Sequence, residues 1–201
     1  MTRPAPSAEI SFVALRPEDP DDAAALTDFL TAQHYPFHVC AELSVERVRA
    51  GIREGRYGRN PAHYSTTAAS ETDHRGWWVW ADQTRLGVVV LDDLTEGAPL
   101  FDLRLADAHR GRGWGAAVLP GLTRVVFETY PEVDRLEGQT REDNIAMRKV
   151  FLKSGFVKEA HYRRGWPMEG GEPVASVAYA ILRQDWVSGT TTTFQWEDLA
   201  A

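Results

Sequence analysis

The chain of 201 residues is 43% hydrophobic, 25% charged and 10% aromatic, which sets aside a disordered tail protein and fits one globular domain large enough to bury its own core. The lone Cys40 sets aside an internal disulfide and a four-thiolate zinc site, so no metal is expected. A net charge of -7, a start without a signal-peptide pattern and the lack of any apolar run near ~18 residues lead to a soluble, cytoplasmic protein that partners neither nucleic acid nor membrane.

Ile10 to Leu15 reads as a first strand. The acidic turn Pro17 to Asp22 leads into an amphipathic helix carrying Ala24, Leu26, Phe29 and Leu30. Ser44 can cap a second helix, Val45 to Glu54, on which Val45, Val48 and Ile52 share a face. Arg56 to Arg75 is polar, with glycines and a proline, and reads as a long loop of the kind that forms lids. Trp77 to Ala81 and Leu86 to Leu91 are aromatic and β-branched, joined at Ala81 to Arg85 as a hairpin. Leu100 to Leu105 is another strand, with Phe101, Leu103 and Leu105 alternating against Asp102 and Arg104.

Glycines at 111, 113 and 115 then open a helix running through Phe127. Val133 to Thr140 reads as a strand, Asn144 to Ser154 as a helix ended by Gly155, and Phe156 to Tyr162 and Val174 to Leu182 as two more strands. The order β, α, α, β, β, β, α, β, α, β, β predicts a mixed α/β (α+β) domain with a central, mostly antiparallel sheet. The domain is expected over residues 1–185. Residues 186–201 form a tail in which Phe194 and Trp196 are candidates for a homodimer contact.

Arg110-Gly111-Arg112-Gly113-Trp114-Gly115 carries the most specific chemistry. Glycines let the backbone approach a ligand without a Cβ, and the first N–H groups of a helix are unpaired. The helix dipole and two arginines add positive charge, so a phosphate or pyrophosphate is the natural guest. A solvated glycine turn is the plain alternative. The residues Gly111-x-Gly113-x-x-Ala116 also fit a dinucleotide fingerprint, although about a hundred residues precede it where such a motif usually opens its domain.

With these residues in view, the sequence resembles the GNAT superfamily of acetyl-CoA-dependent N-acetyltransferases. The glycine turn is similar to that family's Q/R-x-x-G-x-G/A motif. Asn144, Met147, Val150, Lys153, Gly155, Phe156 and Glu159 resemble the second block of its RimJ/RimL-like branch, with Met147 in place of a common Ser. The resemblance implies about seven strands flanked by about four helices, and transfer of acetyl from acetyl-CoA to a primary amine on a peptide N-terminus or small molecule. It implies that the backbone of Leu103, Arg104 and Leu105 pairs with the pantetheine arm. The Arg110 to Gly115 turn, including Arg112 and Trp114, would hold the pyrophosphate, and Asn144 would contact the pantetheine or cysteamine region. A backbone amide near Leu103 would assist the oxyanion.

The usual acid and base do not carry over, because Phe151 stands at the family's Tyr position and Gln139 at its Glu position. Asp102, Glu142 and His38 are the candidate catalytic replacements, and Asp143 is expected to cap the helix that starts at Asn144. The missing pair also leaves open a non-catalytic acyl-CoA sensor or interaction module. Up to Leu103 the chain holds 16 acids and 9 bases, beyond it 13 of each, so the acidic half is expected to frame the entrance for a cationic acceptor. The strand tryptophans and Arg163 to Gly171, read as a hairpin connection, are candidates for that entrance.

Overall fold

The computed structural model describes residues 8–58, 74–168 and 170–196. Most of the loop expected between Arg56 and Arg75 lies outside the described residues. Seven strands form one sheet: β1 (Ile10–Ala14), β2 (Arg75–Ala81), β3 (Thr84–Asp92), β4 (Leu100–Leu105), β5 (Arg135–Arg141), β6 (Val157–Trp166) and β7 (Val174–Leu182). Their order is β1-β2-β3-β4-β5-β7-β6, and every pair is antiparallel except β4 with β5. Helices α1 (Pro20–Thr31) and α2 (Val45–Arg53) cover one face; α3 (Trp114–Thr129) and α4 (Ile145–Lys153) cover the other.

Local chemistry sets these boundaries. The Asp19 carboxylate accepts from the backbone N–H of Asp21 and Asp22, and Pro20 sits in the first turn, so α1 begins there. Ser44 caps α2 by accepting from the N–H of Arg47. The helix at α4 is capped by Asn144, which accepts from Met147, and not by Asp143, whose carboxylate is drawn instead to the guanidinium of Arg141. Arg163 to Trp166 extend β6 and are not part of a connection. The short α5 (Arg183–Ser188) was not expected from the sequence: six residues, several of them polar, give too little period to read.

Strand alternation divides the interior in two. On the α3/α4 face, Val79, Leu91, Leu136, Val177 and Tyr179 pack with Leu122 and Phe151. On the α1/α2 face, Trp78 and Val88 pack with Leu26, Phe29 and Val48. A Cβ on Gly138 would stand 2.7 Å from the rings of both Phe101 and Phe151, so only glycine leaves room for this aromatic packing beneath the middle of the sheet. Phe151 is fully buried and stacks on Tyr179, 4.7 Å between centroids and 2° between planes.

A candidate active site where two strands part

β4 and β5 meet at one register pair, Leu100 with Glu137, next to a bond from the Glu137 N–H to the Pro99 carbonyl. Beyond that pair they diverge. Ala106 N–H donates to Leu86 of β3, and in an antiparallel ladder the pointing direction alternates residue by residue. Arg104 and Asp102 therefore turn their backbone groups to β3, whereas Leu103 and Leu105 turn theirs to the gap. The free backbone edge contains Leu103 and Leu105 but not Arg104, whose side chain is what reaches the site.

At the end of β4 the chain turns through Gly111, φ 69°, and Gly113, φ 89°, into α3. Gly113 is the N-cap and gives no side-chain bond, so the first turn of α3 keeps unpaired N–H groups. A Cβ at Gly111 would meet nothing within 4 Å, which means open space over this turn. Gly115 lets α3 approach α4, since a Cβ there would stand 3.1 Å from Val150. Arg112 is exposed, whereas Arg110 is ion-paired to Asp107 and lies 5.9 Å from the Tyr35 ring.

One cavity of about 1040 Å³ occupies the gap. Its wall includes Leu103, Thr140, Met147 and Phe151, which belong with the α4 side, and Asp102, Arg104 and Gln139, which face α1 and α2. The cavity thus passes through the sheet. Asn144 also lines it, but its amide is used within the protein: Oδ1 accepts from Met147 and Nδ2 donates to Thr140 Oγ1 at 2.9 Å.

On the α1/α2 side three of the candidate residues come together. His38 Nε2 lies 3.0 Å from Asp102 Oδ1, and Arg104 donates to Asp102 Oδ2 through Nε at 3.0 Å and Nη2 at 2.8 Å. Burial pushes the Asp102 carboxyl up, but the Arg104 guanidinium and then His38 outweigh it and hold the group well below the usual carboxylate range. An ionised carboxylate only accepts, so His38 donates to it from Nε2, and its Nδ1 is buried without a partner among the described residues. Glu142 does not line the cavity; it faces His161 Nε2 at 3.3 Å.

The sequence reading missed a second such pair. His74 Nδ1 lies 2.6 Å from Asp92 Oδ1 on the cavity wall, where burial pushes Asp92 up against the pull of His74. It also missed Tyr35, whose ring lies under Arg104 at 4.8 Å and whose hydroxyl is buried and unpartnered among the described residues. The wall is not uniformly acidic. Glu54, Asp92, Asp93 and Asp102 are set against Arg47, Arg56 and Arg104, and Arg56 pairs with Glu54.

The model of the acetyltransferase (GNAT) domain matches residues 13–157. The chain belongs to the GNAT acetyltransferase family. Solved members share its fold at low identity. The spermidine N-acetyltransferase from Vibrio cholerae, in complex with CoA and spermine, is 14% identical over 89% of this chain and 98% of its own, with a TM-score of 0.68. A probable acetyltransferase is 20% identical over 90% and 96%, TM-score 0.67. RimL, a ribosomal-protein alpha-N-acetyltransferase in complex with coenzyme A, is 14% identical over 89% and 96%, TM-score 0.66. No curated protein sequence matches the chain. For a GNAT acetyltransferase, Phe151 at the usual tyrosine position is a buried, stacked ring that can donate no proton, and Gln139 bonds Glu137 at 3.0 Å. No helix among the described residues is long and apolar enough to cross a membrane.

Proposed function

We propose that this enzyme is a cytoplasmic N-acetyltransferase that moves the acetyl group of acetyl-CoA to a primary amine by direct attack. The observation that carries the reading is the single cavity through the parted strands, which lets two substrates enter from opposite faces of the sheet and meet beside β4. The residues present suit the cosubstrate. Leu103 and Leu105 offer a free backbone edge for the amides of a pantetheine arm; Gly111 has the open space, and the first turn of α3 the unpaired N–H groups, that a pyrophosphate needs. Bound there, acetyl-CoA supplies the thioester.

The chain's own groups then divide the remaining work. The Leu103 N–H stands at the parted edge to stabilise the oxyanion. Asp102 is too weak a base to take the amine proton; it orients His38 through Nε2, and His38 takes the proton at Nδ1. As the C–S bond breaks, CoA leaves as the thiolate and takes a proton from water, since Phe151 can donate none; His38 and Asp102 thus stand in for the missing base alone, and Glu142 is given no part. Gly113→Asp tests the cradle. It places a side chain at φ 89° and a carboxylate against the pyrophosphate, so acetyl-CoA affinity measured by calorimetry should fall on the order of 100-fold. Unchanged affinity removes the cradle from the reading.

A further inference from the structure

Among the described residues, two hydrogen-bond donors on the cavity wall have nothing to donate to. Arg104 commits Nε and Nη2 to Asp102, and its Nη1 is buried with no partner. Trp166, the last residue of β6, holds its indole Nε1 in the same state. Both residues line the cavity. They also share a face of the sheet: Arg104 lies opposite Val88 on the α1/α2 side, and Trp166 lies opposite Val174, whose side chain alternates away from the Val177 and Tyr179 face.

A buried donor without a partner is costly, and two at one site are readily understood if a ligand completes them. Guanidinium and indole N–H groups donate only, so the completing atom must be an acceptor. A protonated polyamine or a plain alkylammonium brings donors alone. The mixed wall points the same way, since its arginines stand among its carboxylates where a polycation would favour carboxylates by themselves.

We propose, resting on the N-acetyltransferase reading above, that the acceptor is an aminoacyl compound: an amine with a carbonyl or carboxylate oxygen close to its nitrogen. Arg104 Nη1 and Trp166 Nε1 bind that oxygen as the acceptor settles against the wall. The oxygen is thereby the feature by which the site tells its acceptor from an oxygen-free amine.

The test compares thiol release from acetyl-CoA with alaninamide, isopropylamine and spermidine as acceptors. Rates are expressed per unprotonated amine, because a neighbouring carbonyl lowers the basicity of the nitrogen. Alaninamide should exceed both oxygen-free amines by at least ~10-fold in kcat/KM, and Trp166→Phe, which removes the N–H and keeps a ring, should narrow that ratio several-fold. Circular dichroism checks that the variant is folded. Equal or better turnover of isopropylamine or spermidine overturns the inference and leaves acetyl transfer standing. A ratio unmoved by Trp166→Phe overturns the part given to Trp166. No thiol release with any amine sinks the N-acetyltransferase reading, and the inference with it.

Discussion

Two arginines, one at each end of the sheet, differ in what their donors find. Arg183, where β7 gives way to α5, donates Nε to the Val133 carbonyl at 2.8 Å, Nη1 to Phe127 at 2.7 Å and Nη2 to Tyr130, and stacks over the Phe127 ring at 4.8 Å. Those carbonyls belong to the C-terminal end of α3 and the turn after it, where the helix leaves acceptors unpaired and its dipole favours a cation. Arg104 sits where β4 leaves β5. It meets one carboxylate and keeps one nitrogen unpaired. The same side chain is a clamp where the backbone supplies acceptors and an incomplete site where the parting strands withdraw them.

The comparison breaks if stability and turnover do not separate along it. His38→Ala at the parted end should lower kcat by on the order of 10²- to 10⁴-fold. Because it deletes one hydrogen bond, it should move the free energy of unfolding by only about 1 kcal/mol. Arg183→Ala at the closed end should do the reverse. Three carbonyls lose a charged donor, so denaturant unfolding should show a loss of about 3 kcal/mol, with kcat per folded molecule unchanged. An Arg183 variant as stable as the parent, or a His38 variant with full turnover, removes the distinction between the two ends.

How far the sequence reaches follows from how local each feature is. The strand Leu100–Leu105, the glycine turn and α3 are contiguous, and alternation followed by glycines and an apolar helix is enough to read them. Asp102 could be picked out as an acid near the acyl end. Its ion partner Arg104 was two residues away, but the histidine that completes it is brought in by a loop 64 residues earlier. His74 and Asp92 show the harder case. The turn at Asp82 and Gln83 sets Trp80 opposite Arg85, a register that would leave His74 opposite Leu91. The register slips by one residue between Val79 and Trp80, and the slip sets Arg75 opposite Leu91 and brings His74 beside Asp92. Nothing in the hydrophobic pattern of either strand announces that bulge. The parting of β4 and β5 is likewise a property of two strands that meet only through tertiary structure.

The smallest expected effect is the most direct on what the parted end leaves unpaired. Tyr35 is 1% exposed, its hydroxyl has no partner among the described residues, and its ring lies 4.8 Å from the Arg104 guanidinium and 5.9 Å from that of Arg110. Burial pushes its pKa from 10.0 up to about 12, against the pull of Arg104 and, less strongly, Arg110. Since the folded chain holds this proton more tightly than the unfolded one, the contribution is complete below pH 10 and is lost as pH rises from 10 towards 12. Tyr35→Phe removes both the orphan hydroxyl and that titration. Stability at neutral pH should rise by roughly 1 kcal/mol, about 2–4 °C in Tm for a domain of this size, and the fall in stability above pH 10 should become shallower. A destabilised variant would mean that the hydroxyl is bonded in the folded protein. The gain has a further consequence for Arg104: a cation over a phenyl ring loses little of its ring contact, so His38 and Asp102 should keep their geometry and kcat should stay within about twofold of the parent. If kcat instead falls with His38-like severity, the Tyr35 hydroxyl belongs to the proton path and the division of work among Asp102, His38 and Arg104 must be redrawn around it.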